Sequence, residues 1–289
     1  MSARAGHVGA GRYGAGMRYA IDVAILGDLA DPRRVVELAR AAEESGWDGL
    51  FVWDHLAFTW GVPSADPWVT LAAAAQATSR LVLGPAVTPL PRRRPAVVAQ
   101  TVATLDVLSG GRVVFSAGLG GVEAEFTAFG EPADARGRAA RLDEALAILD
   151  GLWRGEEVTY HGAHYRVDGV RLAPSPVQRP RVPIWIGGMS AAALRRAAAW
   201  DGWVGGGDTE DGRMALSPAQ VAEMVATIRR HRTGDGPFHV ALTGVSGAGD
   251  AGLVREYADA GVTWWLEHLH GRRGDHRALL ARVTAGPPA

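Results

Sequence analysis

The chain has 289 residues, 47% of them hydrophobic, and a formal net charge of -1. That size fits one large α/β domain or two small ones, and the charge gives no electrostatic reason for a nucleic-acid or anionic-membrane partner. There is no Cys, which excludes disulfides, thiolate metal sites and a cysteine nucleophile.

Residues 1–16 are rich in Gly and Ala, lack periodicity, and are expected to form a disordered tail. They carry no apolar signal-peptide core, and no run in the chain approaches the ~18–20 apolar residues of a spanning helix, so a cytoplasmic protein is expected. Residues 9–14 (GAGRYG) match GxGxxG but precede a strand instead of following one, so the match reads as accidental. Residues 19–26 read as a strand. Asp31-Pro32 then supplies an N-cap and a first-position proline for a helix with Val35, Leu38, Ala39 and Ala42 on one face, ending at Gly46. A strand over 49–53 follows, and Asp66-Pro67 repeats the helix start. Next come RLVLGPAV (strand), AVVAQTVATLDVLSGGR (helix and turn) and VVFSAGLGG (strand). Short Val- and Leu-rich strands joined by a helix are expected to lie parallel, with a right-handed crossover. A helix over 138–153 turns Leu142, Ala145, Leu146 and Leu149 inward. Strands over 183–186, 202–205, 238–245 and 262–266 alternate with helices over 191–200, 218–231, 251–260 and 277–283. About eight βα units make an α/β fold of the (β/α)8 TIM-barrel kind over 17–289. One segment breaks the rhythm before the fifth strand: 155–181 is polar, with a hairpin over 158–167 and a proline-rich exit. It is expected to be an insertion lying over the barrel mouth or along its side.

Ligands of such barrels sit at the C-terminal ends of the strands. Asp54-His55 follows the second strand, where an imidazole beside a carboxylate can move a proton near neutral pH, or can simply be satisfied by a backbone carbonyl. Gly118, Gly120 and Gly121 follow the fourth strand and either admit a planar ring against the backbone or form a plain turn. Gly187, Gly188 and Ser190 open a helix, which is an anion-binding arrangement or a glycine turn with a serine cap. The run Pro91-Arg92-Arg93-Arg94-Pro95 reads as a solvated cluster, with steering of an anionic ligand as a minor alternative. No metal site is expected, because neither His161/His164 nor His268/His270 has a carboxylate at metal-ligand spacing. Trp60, in the loop after His55, is a candidate for lining a pocket; the other tryptophans read as packing.

Taken together, GLFVWDHL, the long DPWVTLAAAAQATSRLVLGPAVTPLPRRRPAVVAQTVATLDVLSGGR, EFTAFG, RLDEALAILDGLW, VPIWIGG and DGW resemble the luciferase-like oxidoreductases of the bacterial luciferase superfamily, over nearly the whole chain. The resemblance implies a barrel that binds reduced FMN or the deazaflavin coenzyme F420, with the phosphate at Gly187, Gly188 and Ser190. It also implies a non-proline cis peptide near Ala86 and Val87, with Thr88 beside it, pressing on the ring. The Asp-His pair resembles the F420 branch, where His55 would act beside the ring and Asp54 would orient it or bond the cofactor. Sugar-phosphate dehydrogenases of that branch carry an acidic residue where this chain has Val122, which argues against their substrate; Glu125 is regarded as structural. The expected reaction is hydride transfer with a small organic substrate. FMN-dependent monooxygenation with a separate reductase is the alternative, and a non-catalytic flavin binder is a rival of another class. A homodimer is implied as well.

Overall fold

The computed structural model describes residues 16–288. Residues 1–15, which hold most of the expected tail and the GxGxxG match, lie outside them, as does the side chain of Trp60. Chain order runs β1 (Arg18–Val23), α1 (Pro32–Glu44), β2 (Gly49–Val52), α2 (Ala57–Trp60), α3 (Pro67–Ala77), β3 (Val82–Pro85), β4 (Thr88–Pro89), α4 (Pro95–Ser109) and β5 (Phe115–Gly118). Then follow α5 (Ala124–Thr127), α6 (Ala135–Arg154), β6 (Glu157–His161), β7 (Arg166–Arg171), β8 (Ile184–Gly187), α7 (Ala191–Ala197), β9 (Gly202–Gly206), α8 (Pro218–His231), β10 (His239–Gly244), α9 (Ala251–Asp259), β11 (Trp264–Leu269) and α10 (His276–Thr284). Two helix starts use the expected chemistry, Asp31 accepting from Arg33 N and Asp66 from Trp68 N and Val69 N, and at α8 the structure adds a capping box of Ser217 and Gln220. No described helix is long and apolar enough to cross a membrane.

Nine parallel strands form one sheet in the order β3-β2-β1-β11-β10-β9-β8-β5-β4. β3 and β4 are two halves of one barrel position, so the strands fill eight positions. The ring closes where Leu83 N donates to Arg112 O and Val114 N to Leu83 O, both at 2.9 Å. Gly84 makes that closure possible: a Cβ there would stand 2.3 Å from Val114 O. The fold is therefore the expected (β/α)8 TIM barrel.

Alternation along the strands sorts the core into two layers. Outward residues pack under the helices in a large apolar shell that includes Val35, Leu38, Leu71, Val98, Phe115, Leu149 and Trp153. Inward residues, Ala20, Phe51, Val82, Val114, Trp185, Val204, Ala241, Trp264 and Leu266, plug the barrel. Phe51 stacks on Trp185 at 5.6 Å, and Trp185 meets Trp264 edge-on at 5.7 Å. The plug fills the bottom of the cylinder and leaves the next inward layer free for other uses.

The 155–181 insertion packs along the side of the barrel, since none of its residues borders the cavity at the strand ends. β6 and β7 pair antiparallel, and their Val158, Tyr160 and Val167 pack on the outer apolar shell. Glu144 of α6 accepts from Ala163 N at 2.9 Å and Tyr165 N at 3.0 Å, which fixes the turn. Asp106 of α4 pins the proline-rich exit through Val177 N and Gln178 N.

Candidate functional site

One inward step, two residues, past the plug, period-two alternation carries a different set of side chains into the barrel. Ala20 leads to Asp22, Phe51 to Trp53, Trp185 to Gly187, Val204 to Gly206, Ala241 to Thr243, and Leu266 to His268. All of these inward residues line a cavity of about 430 Å³ at the C-terminal ends of the strands. That size is ordinary for a small-molecule site. Its wall is largely backbone, built from Gly118, Gly120, Gly121, Gly187, Gly188, Gly205, Gly206 and Gly207. Ala86, Val87, Pro89, His55, Met189 and Ser190 complete the rim. The Ala86-Val87 peptide is cis.

The glycines do two different jobs. At Gly187 a Cβ would stand 2.8 Å from Val87 Cγ1, and at Gly118 one would stand 2.9 Å from Val87 Cγ2. These two glycines make room for the Val87 side chain, which wedges between β5 and β8. At Gly121 and Gly207 a Cβ would meet nothing within 4 Å, so those positions open on the cavity side or to solvent.

His55 stands at the mouth with its side chain 22% exposed, enough for a ligand to reach it. Its Nδ1 lies 3.0 Å from Glu125 Oε1, and Leu56 N donates to the same oxygen at 2.7 Å. The carboxylate on the imidazole is therefore that of Glu125, which is fully buried, and not that of Asp54. Asp54 is turned away from the cavity. Arg92 Nη2 donates to its Oδ1 at 2.8 Å, and Arg93 donates to both of its oxygens, at 3.0 and 2.7 Å. Arg92 also bonds Glu125, so one guanidinium ties both carboxylates together. The expectation of a solvated arginine cluster fails here: the Arg92 side chain is 8% exposed and Arg93 24%. Two acids buried behind the second strand need compensating charge, and the loop before α4 delivers it.

Three other expectations can be set against the structure, of which the serine cap agrees with one of the two readings of Gly187, Gly188 and Ser190. Thr88 is fully buried and does not border the cavity. Ser190 caps α7 by accepting from Ala193 N at 3.2 Å, which leaves its own proton for another acceptor. The absence of carboxylate partners for the histidine pairs is overturned for both: His161 Nε2 is 2.6 Å from Asp168 Oδ1, and His268 Nδ1 is 2.7 Å from Asp208 Oδ1. Asp208 follows β9, two strands from β11, so spacing along the sequence could not reveal it.

Sequence reading missed Asp22, Trp53, Thr243 and His268 as wall residues. Each had a faint signal, a polar or aromatic group at the inward phase of an otherwise apolar strand. Burial raises the Asp22 carboxyl to about 7, against the lowering pull of hydrogen bonds from Thr243 and Trp53. Thr243 Oγ1 donates to its Oδ2 at 3.3 Å, while Oδ1 has no hydrogen-bond partner among the described residues. Burial first, and the neighbouring His270 second, lower His268 to about 4, so that it is a neutral imidazole at pH 7. Burial works to raise Asp208, but the bond and charge of His268, with His270 and Arg272, hold it below the usual carboxylate range.

The arrangement offers a flat, backbone-lined slot, a reachable imidazole with a fixed orientation, and a floor of buried polar groups. Comparison with known proteins is consistent with such a slot. The profile of the family described as luciferase-like monooxygenase matches residues 6–286. An uncharacterized protein of Mycobacterium tuberculosis is 32% identical over 250 residues, 79% of this chain and 82% of its own. An F420-dependent glucose-6-phosphate dehydrogenase of Microbacterium testaceum is 40% identical over 172 residues, 57% of this chain and 50% of the relative. Among solved structures, an F420-dependent secondary alcohol dehydrogenase in complex with an F420-acetone adduct superposes with a TM-score of 0.78 at 19% identity, over 94% of this chain and 98% of that one.

Proposed function

The chain belongs to the luciferase-like monooxygenase family, and from that premise we propose that it is an oxidoreductase binding a deazaflavin of the F420 type and exchanging hydride with a small organic substrate. The observation that carries the reading is the position of His55: partly exposed at the rim of a glycine-walled slot and held by a buried carboxylate. The relatives named for F420 dependence support the choice of cofactor.

The residues present fit such a group. Gly121 and Gly207, where a Cβ would meet nothing within 4 Å, leave bare backbone for a planar ring to approach. Buried Asp22 Oδ1 and His268 Nε2 border the cavity without a hydrogen-bond partner among the described residues and are suited to polar ring edges. Gly187, Gly188 and Ser190 would take the phosphate through backbone N–H groups and the Ser190 hydroxyl. When bound, reduced F420 supplies a hydride from carbon and reacts poorly with oxygen. The protein's part is binding, orientation and proton handling. Glu125 accepts from His55 Nδ1–H and so sets the tautomer in which Nε2 would give or take the proton at the substrate oxygen. Trp53, edge-on to His55 at 5.4 Å, closes that side against water. Glu125 is committed to His55, Leu56 N and Arg92, so it is not available to a sugar hydroxyl. The substrate accordingly is a small alcohol or carbonyl compound rather than a sugar phosphate. A homodimer belongs to this reading, and exposed Val69 on α3 and Val97 on α4, two helices in contact, offer an apolar face for it.

His55→Gln tests the role of the imidazole. F420-linked turnover should fall about 100-fold or more, the range of a lost general acid–base, while F420 affinity stays within a few-fold of wild type. Unchanged turnover in a folded variant would remove His55 from the chemistry.

A further inference from the structure

Three metal-ligating side chains converge at the end of β11 in an arrangement that hydride chemistry does not require. Alternation brings His268 to the cavity floor and His270 to the next inward step, where it borders a second cavity of about 620 Å³ beyond Trp53. Asp208 reaches both from the loop after β9. His268 Nδ1 is 2.7 Å from Asp208 Oδ1, and His270 Nε2 is 3.0 Å from Asp208 Oδ2. One donor atom from each of the three lies within 4.8 Å of the others. The side chains are 3%, 9% and 2% exposed for His268, His270 and Asp208. His268 Nε2 and His270 Nδ1 have no hydrogen-bond partner among the described residues, and His270 Nε2 has only its contact with Asp208. Buried polar atoms in that condition call for a reason, and a bound ion is one.

We propose that Asp208, His268 and His270 form a binding site for a divalent cation of borderline softness, Zn²⁺ foremost. Two imidazoles and a carboxylate are a zinc donor set, and three protein ligands leave a fourth position for water or a substrate oxygen. Tetrahedral ligation at ordinary bond lengths separates donor atoms by roughly 3.3 Å. The His268–Asp208 and His270–Asp208 contacts would therefore open by about 0.6 and about 0.3 Å. Arg272 is the competitor, with its Nη2 3.0 Å from Asp208 Oδ2. Its side chain is 56% exposed, so it can withdraw into solvent as the ion enters. Without an ion, the same residues form a hydrogen-bonded cluster that ties the loop after β9 to β11.

The test uses the full chain, stripped with a chelator and dialysed against Zn²⁺, with bound metal counted by mass spectrometry and Co²⁺ absorbance reporting geometry. One ion per chain at micromolar free metal is expected, with four-coordinate Co²⁺ bands. His270→Gln and Asp208→Asn should each weaken binding by about 100-fold or more, beyond the range for outer-shell partners. Arg272→Gln should tighten it by removing the competing cation, and it needs no buried residue to be replaced. His161→Gln controls for the exposed His161–Asp168 pair and should leave affinity unchanged. The proposal is overturned by a lack of stoichiometric zinc, by binding that follows His161, or by an affinity that Arg272→Gln does not raise. Each of these leaves a hydrogen-bonded cluster only.

Discussion

Glu125 lies 70 residues beyond His55 in the chain, yet its Oε1 fixes both the imidazole and the backbone N–H of the next residue. The Asp54-His55 dipeptide suggests a different partnership, because adjacency in sequence is the only proximity a reader can see. Adjacent strand-end residues point to opposite sides, so the acid next to His55 faces the arginines behind the strand while His55 faces the cavity. Arg92, buried between Asp54 and Glu125, holds the site together. Arg92→Met would leave Asp54 with Arg93 alone and Glu125 without its arginine. Breaking a buried pair in this way costs about 3–5 kcal/mol. Urea unfolding should register it, and a loss below about 1 kcal/mol would show that the network matters little. The basic run that carries Arg92 was visible in the sequence; its burial was not, since nothing local tells a solvated arginine from one drawn inward by two distant acids.

Among the elements, β5 and β8 show how glycine can mean packing rather than flexibility. Gly118 and Gly187 read from sequence as room for a ligand, but the space that they leave is filled from the side by Val87. Gly187→Ala should destabilise the fold by about 1–3 kcal/mol, the usual cost of overpacking. Val87→Ala in the same chain should recover most of that loss. A thermal double-mutant cycle measures the coupling, and additive effects would mean that the wedge is not the constraint. The helix starts at Asp31-Pro32 and Asp66-Pro67 were legible because Asp-Pro acts locally. The hairpin was legible as a break in rhythm, but its docking was not: Glu144 and Asp106 hold it from α6 and α4 through contacts that no periodicity records.

Across the whole molecule, the alternation of strands and helices was enough to give the barrel, because each βα unit is a local pattern and closure follows from their number. The division of the interior into a plug and a cavity was not legible. It depends on which inward position comes second, and that needs the register between strands. The plug also makes a prediction about pH. His239, at the start of β10 against Trp185 and Trp264, is lowered to about 4, by burial first and by the charge of Arg18 second, with Asp201 opposing. Its unfolded value is near 6.5, so between pH 6.5 and 4 the unfolded chain takes up the proton that the folded one refuses. The contribution of His239 is therefore complete above pH 6.5 and is lost as the pH falls toward 4. Urea unfolding of wild type and His239→Gln should show the variant losing less stability over that window; parallel curves would contradict the assignment.

The central claim is that the glycine-walled slot takes a deazaflavin ring. The direct measurement is an equilibrium titration of the purified chain with F420 and, separately, with FMN, followed by absorbance and fluorescence. Saturable F420 binding at micromolar concentration, with FMN bound far more weakly or not at all, is the predicted result. Tight FMN binding without F420 binding would contradict it and turn the reading toward oxygen-dependent monooxygenation with a partner reductase.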